Sequence, residues 1–129
     1  MDQRNPPSPQ KRILVVEDDP SVRLVTQTAL RQAGYFCTVC VDGDQAIERM
    51  KRESYDLLIT DYLLPGPNGI DVVRWAQSQK GSAKSIVITG YPSEELKKQC
   101  NELGVARLLV KPEYNAVSLP AVVKEVLGS

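Results

Sequence analysis

Five short apolar runs alternate along the chain with five longer segments of helical spacing, and this alternation constrains the fold more than any other feature. The apolar runs are RILVVED, YFCTVCVD, YDLLITD, KSIVITG and ARLLVKP. Short apolar runs of this kind are typical of strands that are covered on both faces of a sheet. Because each run precedes a helical segment, the pattern predicts right-handed βαβ units and an α/β fold with a doubly wound parallel sheet.

The predicted domain covers residues 12–129, and its five strands are expected in the order 2-1-3-4-5 with helices on both faces. Residues 1–11 are rich in proline and are predicted to form a disordered tail. A chain of 129 residues buries about two-thirds of its unfolded surface when it folds as one domain. We therefore expect a single domain that needs no disulfide to hold it together.

No apolar run approaches the roughly eighteen residues of a membrane span, and the first residues lack the apolar segment of a signal peptide. Three cysteines in such a chain are expected to be reduced thiols. These features predict a cytoplasmic protein without a membrane partner.

Charge and histidine content exclude several function classes. Sixteen basic residues balance sixteen acidic residues, so no overall field favours nucleic acid as a direct partner. The chain contains no histidine, which removes histidine-dependent nucleophile systems, histidine metal ligands and phosphohistidine of its own. Charged residues are therefore expected to act at a particular site and not through an overall field.

Polar residues follow four of the five apolar runs at the point where each strand is predicted to end. Glu17 and Asp18 end the first strand, Asp61 the third, Thr89 the fourth and Lys111 the fifth. In such sheets ligands bind beyond the carboxyl ends of the strands, and strands one and three are neighbours in the expected order. The three acids then converge and suit Mg²⁺, while the ammonium and the hydroxyl complete a set typical of phosphoryl transfer.

The motifs that carry these residues resemble a known family. ILVVEDDP, LLITDYLLPGPNG, IVITG and LLVKP occur in the order and at the separations of the two-component response-regulator receiver domain, over residues 12 to about 127. The resemblance implies a flavodoxin-like phosphoacceptor domain of the chemotaxis type. It also implies a signalling module that is switched by phosphorylation and catalyses only its own phosphorylation and dephosphorylation.

The resemblance implies that Asp61 accepts a phosphoryl group from the phosphohistidine of a sensor histidine kinase or a phosphotransfer protein. It implies that Asp18 and Asp61 bind Mg²⁺ directly, with Glu17 acting through water and the backbone carbonyl of Leu63 as a further ligand. A downstream protein effector would read the phosphorylated state.

Further roles follow from the same resemblance. Thr89 and Lys111 are expected to contact phosphoryl oxygens, and the peptide bond between Lys111 and Pro112 is expected to be cis. Asp19, the remaining acid of the first cluster, is better placed to cap the helix that begins near Pro20.

Two other functions stay open at the level of sequence. An aspartyl-phosphate hydrolase of the haloacid-dehalogenase type also uses a strand-end aspartate and Mg²⁺, but it requires a second acid where this chain has Leu63. A receiver fold retained only as a scaffold would not require the intact acids, Thr89 and Lys111. Phosphorylation by a small phosphodonor with Mg²⁺ separates the three.

The chain departs from the family pattern at three places. Glu17 replaces the commoner aspartate, and Leu108 stands where the aromatic switch residue is expected. Ala106 and Arg107 occupy positions at which many transcription-factor receivers carry two acids. This last difference argues against the charged homodimer that those regulators form.

Cys37 and Cys40 form a C-x-x-C motif, which in other settings indicates redox chemistry or zinc binding. Residues three apart on a strand point to opposite faces, so we predict that both thiols simply pack in the core. The third helix is predicted to begin at Ile70 and to bury Ile70, Val73 and Ala76, which leaves Trp75 off the apolar stripe.

Overall fold

In the computed structural model the central sheet is built from β1 (Arg12–Val16), β2 (Phe36–Cys40), β3 (Leu57–Asp61), β4 (Lys84–Thr89) and β5 (Arg107–Val110). All pairings are parallel, and the strands lie in the order β2-β1-β3-β4-β5, which confirms the predicted topology. The structure describes residues 10–81, 83–111 and 117–128.

The helices are α1 (Pro20–Gln32), α2 (Gly43–Arg52), α3 (Gly69–Gln77), α4 (Glu94–Glu102) and α5 (Leu119–Leu127). Side chains cap the first four, because Asp19, Asp42, Asn68 and Ser93 accept hydrogen bonds from N–H groups in the first turn. No helix in the described ranges is both long and apolar enough to cross a bilayer.

Alternate residues of each strand point to opposite faces, and the sheet therefore separates two hydrophobic clusters. The first, here called the α3-side cluster, lies between the sheet and α2, α3 and α4; its strand members include Leu14, Leu58 and Val87. The second, the α1-side cluster, lies under α1 and α5 and includes Ile13, Ile59, Ile86, Leu30 and Val123. Helices cover both faces, as predicted.

The C-x-x-C motif is structural, as predicted. Cys37 packs in the α1-side cluster and Cys40 in the α3-side cluster, and both are buried free thiols. Burial raises the pKa of each thiol to about 11. A shared metal or a disulfide between the two is excluded because the sheet lies between them.

The third helix buries a wider face than the sequence predicted. It begins at Gly69, and Val72 is buried together with Ile70, Val73 and Ala76. The predicted stripe leaves out Val72, which is buried because α3 also contacts α2: a Cβ on Gly43 would lie 3.0 Å from Cγ2 of Val72. Trp75 lies off this face and is half-buried.

The predicted tail, residues 1–11, lies mostly outside the described residues. Its last two residues contact the strand region: Gln10 Nε2 donates a hydrogen bond to the Gly34 carbonyl at 3.0 Å. The N–H of Phe36 donates to the Lys11 carbonyl, also at 3.0 Å.

Candidate functional site

Three carboxylates meet at the carboxyl ends of β1 and β3. The N–H of Glu17 donates to the Cys40 carbonyl at 3.0 Å, which carries the strand pairing one residue beyond β1. Val16 pairs with Thr60, so the residues that follow each strand are neighbours. One carboxylate oxygen from each of Glu17, Asp18 and Asp61 lies within 4.8 Å of the other two. The structure thus brings the predicted acids together.

The acids differ in their exposure to solvent. Glu17 and Asp61 are buried, whereas Asp18 is exposed. A cluster of this kind is open to water on one side and closed by the protein on the other. Oxygen ligands in such a setting suit Mg²⁺, which usually keeps several of its waters.

Lys111 lies on the other side of the acids. Its Nζ is 3.7 Å from Oδ1 of Asp61 and 3.8 Å from Oε1 of Glu17. The backbone N–H of Lys111 donates to the Thr89 carbonyl at 2.8 Å, so the end of β5 is held beside the end of β4. The structure places this predicted residue beside the predicted acceptor.

Thr89 is buried at the end of β4. Its Oγ1 accepts a hydrogen bond from the N–H of Tyr91 at 3.1 Å. Because the hydroxyl acts as an acceptor in this bond, its own proton remains free to donate to a ligand in the cleft. The bond also joins Thr89 to the loop that precedes α4.

These groups line one cleft of about 630 Å³, which Leu63 and Tyr91 also border. The two apolar side chains are largely exposed, at 61% for Leu63 and 80% for Tyr91. The predicted Lys111–Pro112 peptide bond lies outside the described residues.

The electrostatics of the cleft favour an additional cation. Burial, together with the hydrogen bond and negative charge of Glu17 and the charge of Asp18, raises the pKa of Asp61 to about 8, although Lys111 lowers it. One ammonium therefore does not offset three carboxylates. A divalent cation would bring the cluster close to neutrality, so the residues present fit Mg²⁺.

The loop between β1 and α1 is held at several points. Asp19 caps α1 as predicted: its Oδ1 accepts from the N–H of Ser21 at 2.8 Å and of Val22 at 3.2 Å. The N–H of Asp19 donates to Oε2 of Glu17 at 3.1 Å. Sequence reasoning missed Arg23, whose Nη1 donates to the Glu17 carbonyl at 3.0 Å.

The start of α3 packs directly against the backbone of Asp61. A Cβ on Gly69 would lie 2.3 Å from the Asp61 carbonyl oxygen, and the N–H of Gly69 donates to the Tyr62 carbonyl at 2.8 Å. Thr60 Oγ1 also donates to the Asp61 carbonyl, at 2.9 Å. Residue spacing in the sequence does not show this contact.

Leu108 stands opposite Val87 in the register of β4 and β5 and packs against the α3-side cluster. It is half-buried. The neighbouring Arg107 forms an ion pair with Glu125 of α5. Leu108 thus packs on the side of the sheet that carries the α3-side cluster.

A sequence model described as the response regulator receiver domain matches residues 13–124. A curated relative, the response regulator receiver protein CpdR of Brucella abortus, is 36% identical over 102 residues, which is 79% of this chain and 85% of CpdR. The chain spans half or less of the length of further curated relatives that it matches.

Solved structures of receiver domains are also similar to this chain. A CheY-like receiver domain protein of Methanospirillum hungatei superposes with a TM-score of 0.85 at 27% identity, covering 93% of this chain and 95% of that one. The receiver domain of the sensor histidine kinase PA1611 of Pseudomonas aeruginosa superposes with a TM-score of 0.81 at 28% identity, covering 94% and 100% of the two chains.

Proposed function

The chain belongs to the response regulator receiver domain family of two-component signalling systems, and from this premise we propose that Asp61 is its phosphoacceptor. The donor is the phosphohistidine of a sensor histidine kinase or a phosphotransfer protein. One observation carries the proposal: Asp61, Glu17, Asp18, Thr89 and Lys111 line a single cleft at the carboxyl ends of the strands.

In the proposed reaction a carboxylate oxygen of Asp61 attacks phosphorus. The new O–P bond forms as the P–N bond of the phosphohistidine breaks, and the bonding electron pair remains on the imidazole nitrogen. Lys111, 3.7 Å from Asp61, offers a positive charge to the phosphoryl oxygens. Thr89 donates the hydroxyl proton that its bond with Tyr91 leaves free.

We propose Mg²⁺ as the cofactor, held by Glu17, Asp18, Asp61 and the backbone carbonyl of Leu63. The ion supplies positive charge for the phosphoryl oxygens during transfer. The acid cluster and the raised pKa of Asp61 support this assignment. In the similar receiver domain of PA1611, a magnesium ion is coordinated in the active-site cleft.

Phosphorylation replaces one carboxylate charge by nearly two, so it changes the electrostatics of the cleft locally. A downstream protein effector is proposed to recognise the resulting surface, with no direct nucleic-acid partner and no membrane partner. Free thiols at all three cysteines support a cytoplasmic location. No catalysis beyond the domain's own phosphorylation and dephosphorylation is proposed.

The test is incubation with acetyl phosphate and Mg²⁺, followed by intact mass spectrometry. We expect the mass of one added phosphoryl group in the wild type, none in Asp61→Asn and a strongly slowed gain in Asp18→Ala. Asp44→Asn is the matched control, because Asp44 is an exposed acid in the first turn of α2 and lies outside the cluster. An unchanged yield in Asp61→Asn would overturn the assignment, and absence of phosphorylation in the wild type would favour a scaffold.

A further inference from the structure

Arg23 contacts the loop that carries two of the three acids. Its Nη1 donates to the Glu17 carbonyl at 3.0 Å and approaches the Asp18 carbonyl at 3.5 Å. Arg23 lies in the first turns of α1 and is half-buried, so its guanidinium reaches back from the helix to the loop. Nη1 of Arg23 thus contacts the carbonyl oxygens of both Glu17 and Asp18.

The contact fixes a part of the loop that the sheet does not hold. The last bond of the β1 pairing is made by the N–H of Glu17, and the capping bonds of α1 begin at Asp19. The carbonyls of Glu17 and Asp18 lie between these two anchors. The direction of each carbonyl is coupled to the direction of the adjacent Cα–Cβ bonds, so holding the carbonyls limits the positions that the two carboxylates can reach.

We propose that Arg23 is a positioning residue for the divalent-cation site, which orders the Glu17 and Asp18 carboxylates through their own backbone carbonyls. This inference rests on the proposed function only in taking Mg²⁺ as the ion that the acids bind. Groups that orient metal ligands from outside typically contribute about tenfold or more to metal affinity.

The charge of Arg23 has the opposite effect. A positive guanidinium near the acids repels a cation, so removal of its charge alone would strengthen Mg²⁺ binding. Loss of loop order would weaken binding. The two effects differ in sign, and a neutral variant therefore distinguishes positioning from simple electrostatics.

The experiment is calorimetric titration of the whole chain with magnesium chloride at low ionic strength, without a phosphodonor. We expect Arg23→Met, which keeps an apolar stem but no donor, to raise the Mg²⁺ dissociation constant about tenfold. Arg23→Lys keeps the charge and a donor, and we expect its dissociation constant to lie between those of the wild type and Arg23→Met.

Arg31→Met is the matched control. Arg31 also lies on α1 and also donates from its guanidinium to a backbone carbonyl, that of Cys37 at 3.3 Å, but away from the acid loop. We expect Arg31→Met to lower the unfolding temperature without changing the Mg²⁺ dissociation constant. Equal weakening in both variants would assign the effect to helix stability and overturn the proposal.

Equal or tighter Mg²⁺ binding in Arg23→Met would also overturn it. If Arg23→Met does not fold, Arg23→Lys decides alone. Its shorter side chain does not reach the two carbonyls as the guanidinium does, so an unchanged dissociation constant in that variant contradicts the positioning role. Failure of the wild type to bind Mg²⁺ would instead contradict the proposed cofactor, so the two failures are distinguishable.

Discussion

The hydroxyl of Thr89 and the backbone N–H of Tyr91 are joined by a hydrogen bond of 3.1 Å, in which the hydroxyl is the acceptor. Thr89 is buried beside the acid cluster, whereas the side chain of Tyr91 is largely exposed. A displacement of Thr89 toward a ligand in the cleft therefore pulls on the backbone of the loop between β4 and α4. This hydrogen bond thus connects the buried cleft directly to an exposed loop.

This link predicts where phosphorylation changes the domain. With a beryllofluoride mimic and Mg²⁺, we expect large backbone amide shifts in residues 89–97 and only modest shifts around Leu108. Leu108 is half-buried against the α3-side cluster and has no hydroxyl or ring to expose. Two-dimensional NMR with and without the mimic measures both regions.

Thr89→Ala is the control for that experiment, because it removes the acceptor of the Tyr91 bond. We expect this variant to show much smaller shifts in residues 89–97. Large shifts centred on residues 106–110 in the wild type would show that β5 changes even without an aromatic residue.

The second prediction concerns the lifetime of the phosphorylated state. Leu63 and Tyr91 border the cleft, and neither carries a carboxylate or amide that could orient an attacking water. We therefore expect slow self-dephosphorylation, and a rate roughly tenfold higher in the double variant Leu63→Asn, Tyr91→Glu. Decay of the phosphoprotein, followed by intact mass after removal of the donor, measures the rate. An unaltered rate would contradict shielding by these side chains.

The third prediction concerns the close contact at the start of α3. A methyl group on Gly69 would lie 2.3 Å from the Asp61 carbonyl, so the backbone at the acceptor must move. We expect Gly69→Ala to lower the free energy of unfolding by about 2 kcal/mol in urea titrations and to weaken Mg²⁺ binding.

Gly90→Ala is the comparison, since a Cβ there would meet no atom within 4 Å and Gly90 does not adopt a positive φ. Its free energy of unfolding should remain within about 0.5 kcal/mol of the wild type. If both variants are equally stable, the α3 contact is looser than described.

The fourth prediction concerns the thiols. Burial raises the pKa of Cys37 and Cys40 to about 11 and also raises that of Cys100. At pH 8 a thiol with a pKa of 11 is about one part in a thousand thiolate, so the native protein should react very slowly with a disulfide reagent. In urea all three cysteines should react quickly. Rapid modification of the native chain would contradict this burial.

The raised pKa of Cys37 and Cys40 also makes the free energy of unfolding depend on pH. A raised pKa in the folded state means that the neutral thiols contribute their full stability below pH 9. We expect that contribution to fall as the pH rises from 9.0 toward 11. Urea titrations across this range, compared with a Cys37→Ala variant, isolate the contribution of Cys37.

Much of the fold could be predicted because it depends on local pattern. The strand order, the capping role of Asp19 and the opposite faces of Cys37 and Cys40 follow from residue spacing and from general rules of parallel sheets. The convergence of the acids follows in turn from the strand order. None of these inferences needs the position of a particular rotamer.

The features that could not be predicted depend on distances between elements. The burial of Val72 results from the approach of α2, and the Arg23 contact requires a long side chain to turn back toward the loop. The Gly69 contact similarly depends on how closely α3 approaches β3. Residue spacing along one chain does not specify these distances.

The sheet also makes the two halves of the core energetically independent, because the α1-side and α3-side clusters share no buried residue. Core substitutions at Leu30 and at Leu96 lie on opposite sides of it, so their energetic costs are expected to add without coupling. We therefore expect a rearrangement of α4 to have little effect on the packing beneath α1 and α5. A change in packing on one face of the domain is therefore expected to leave the opposite face as it was.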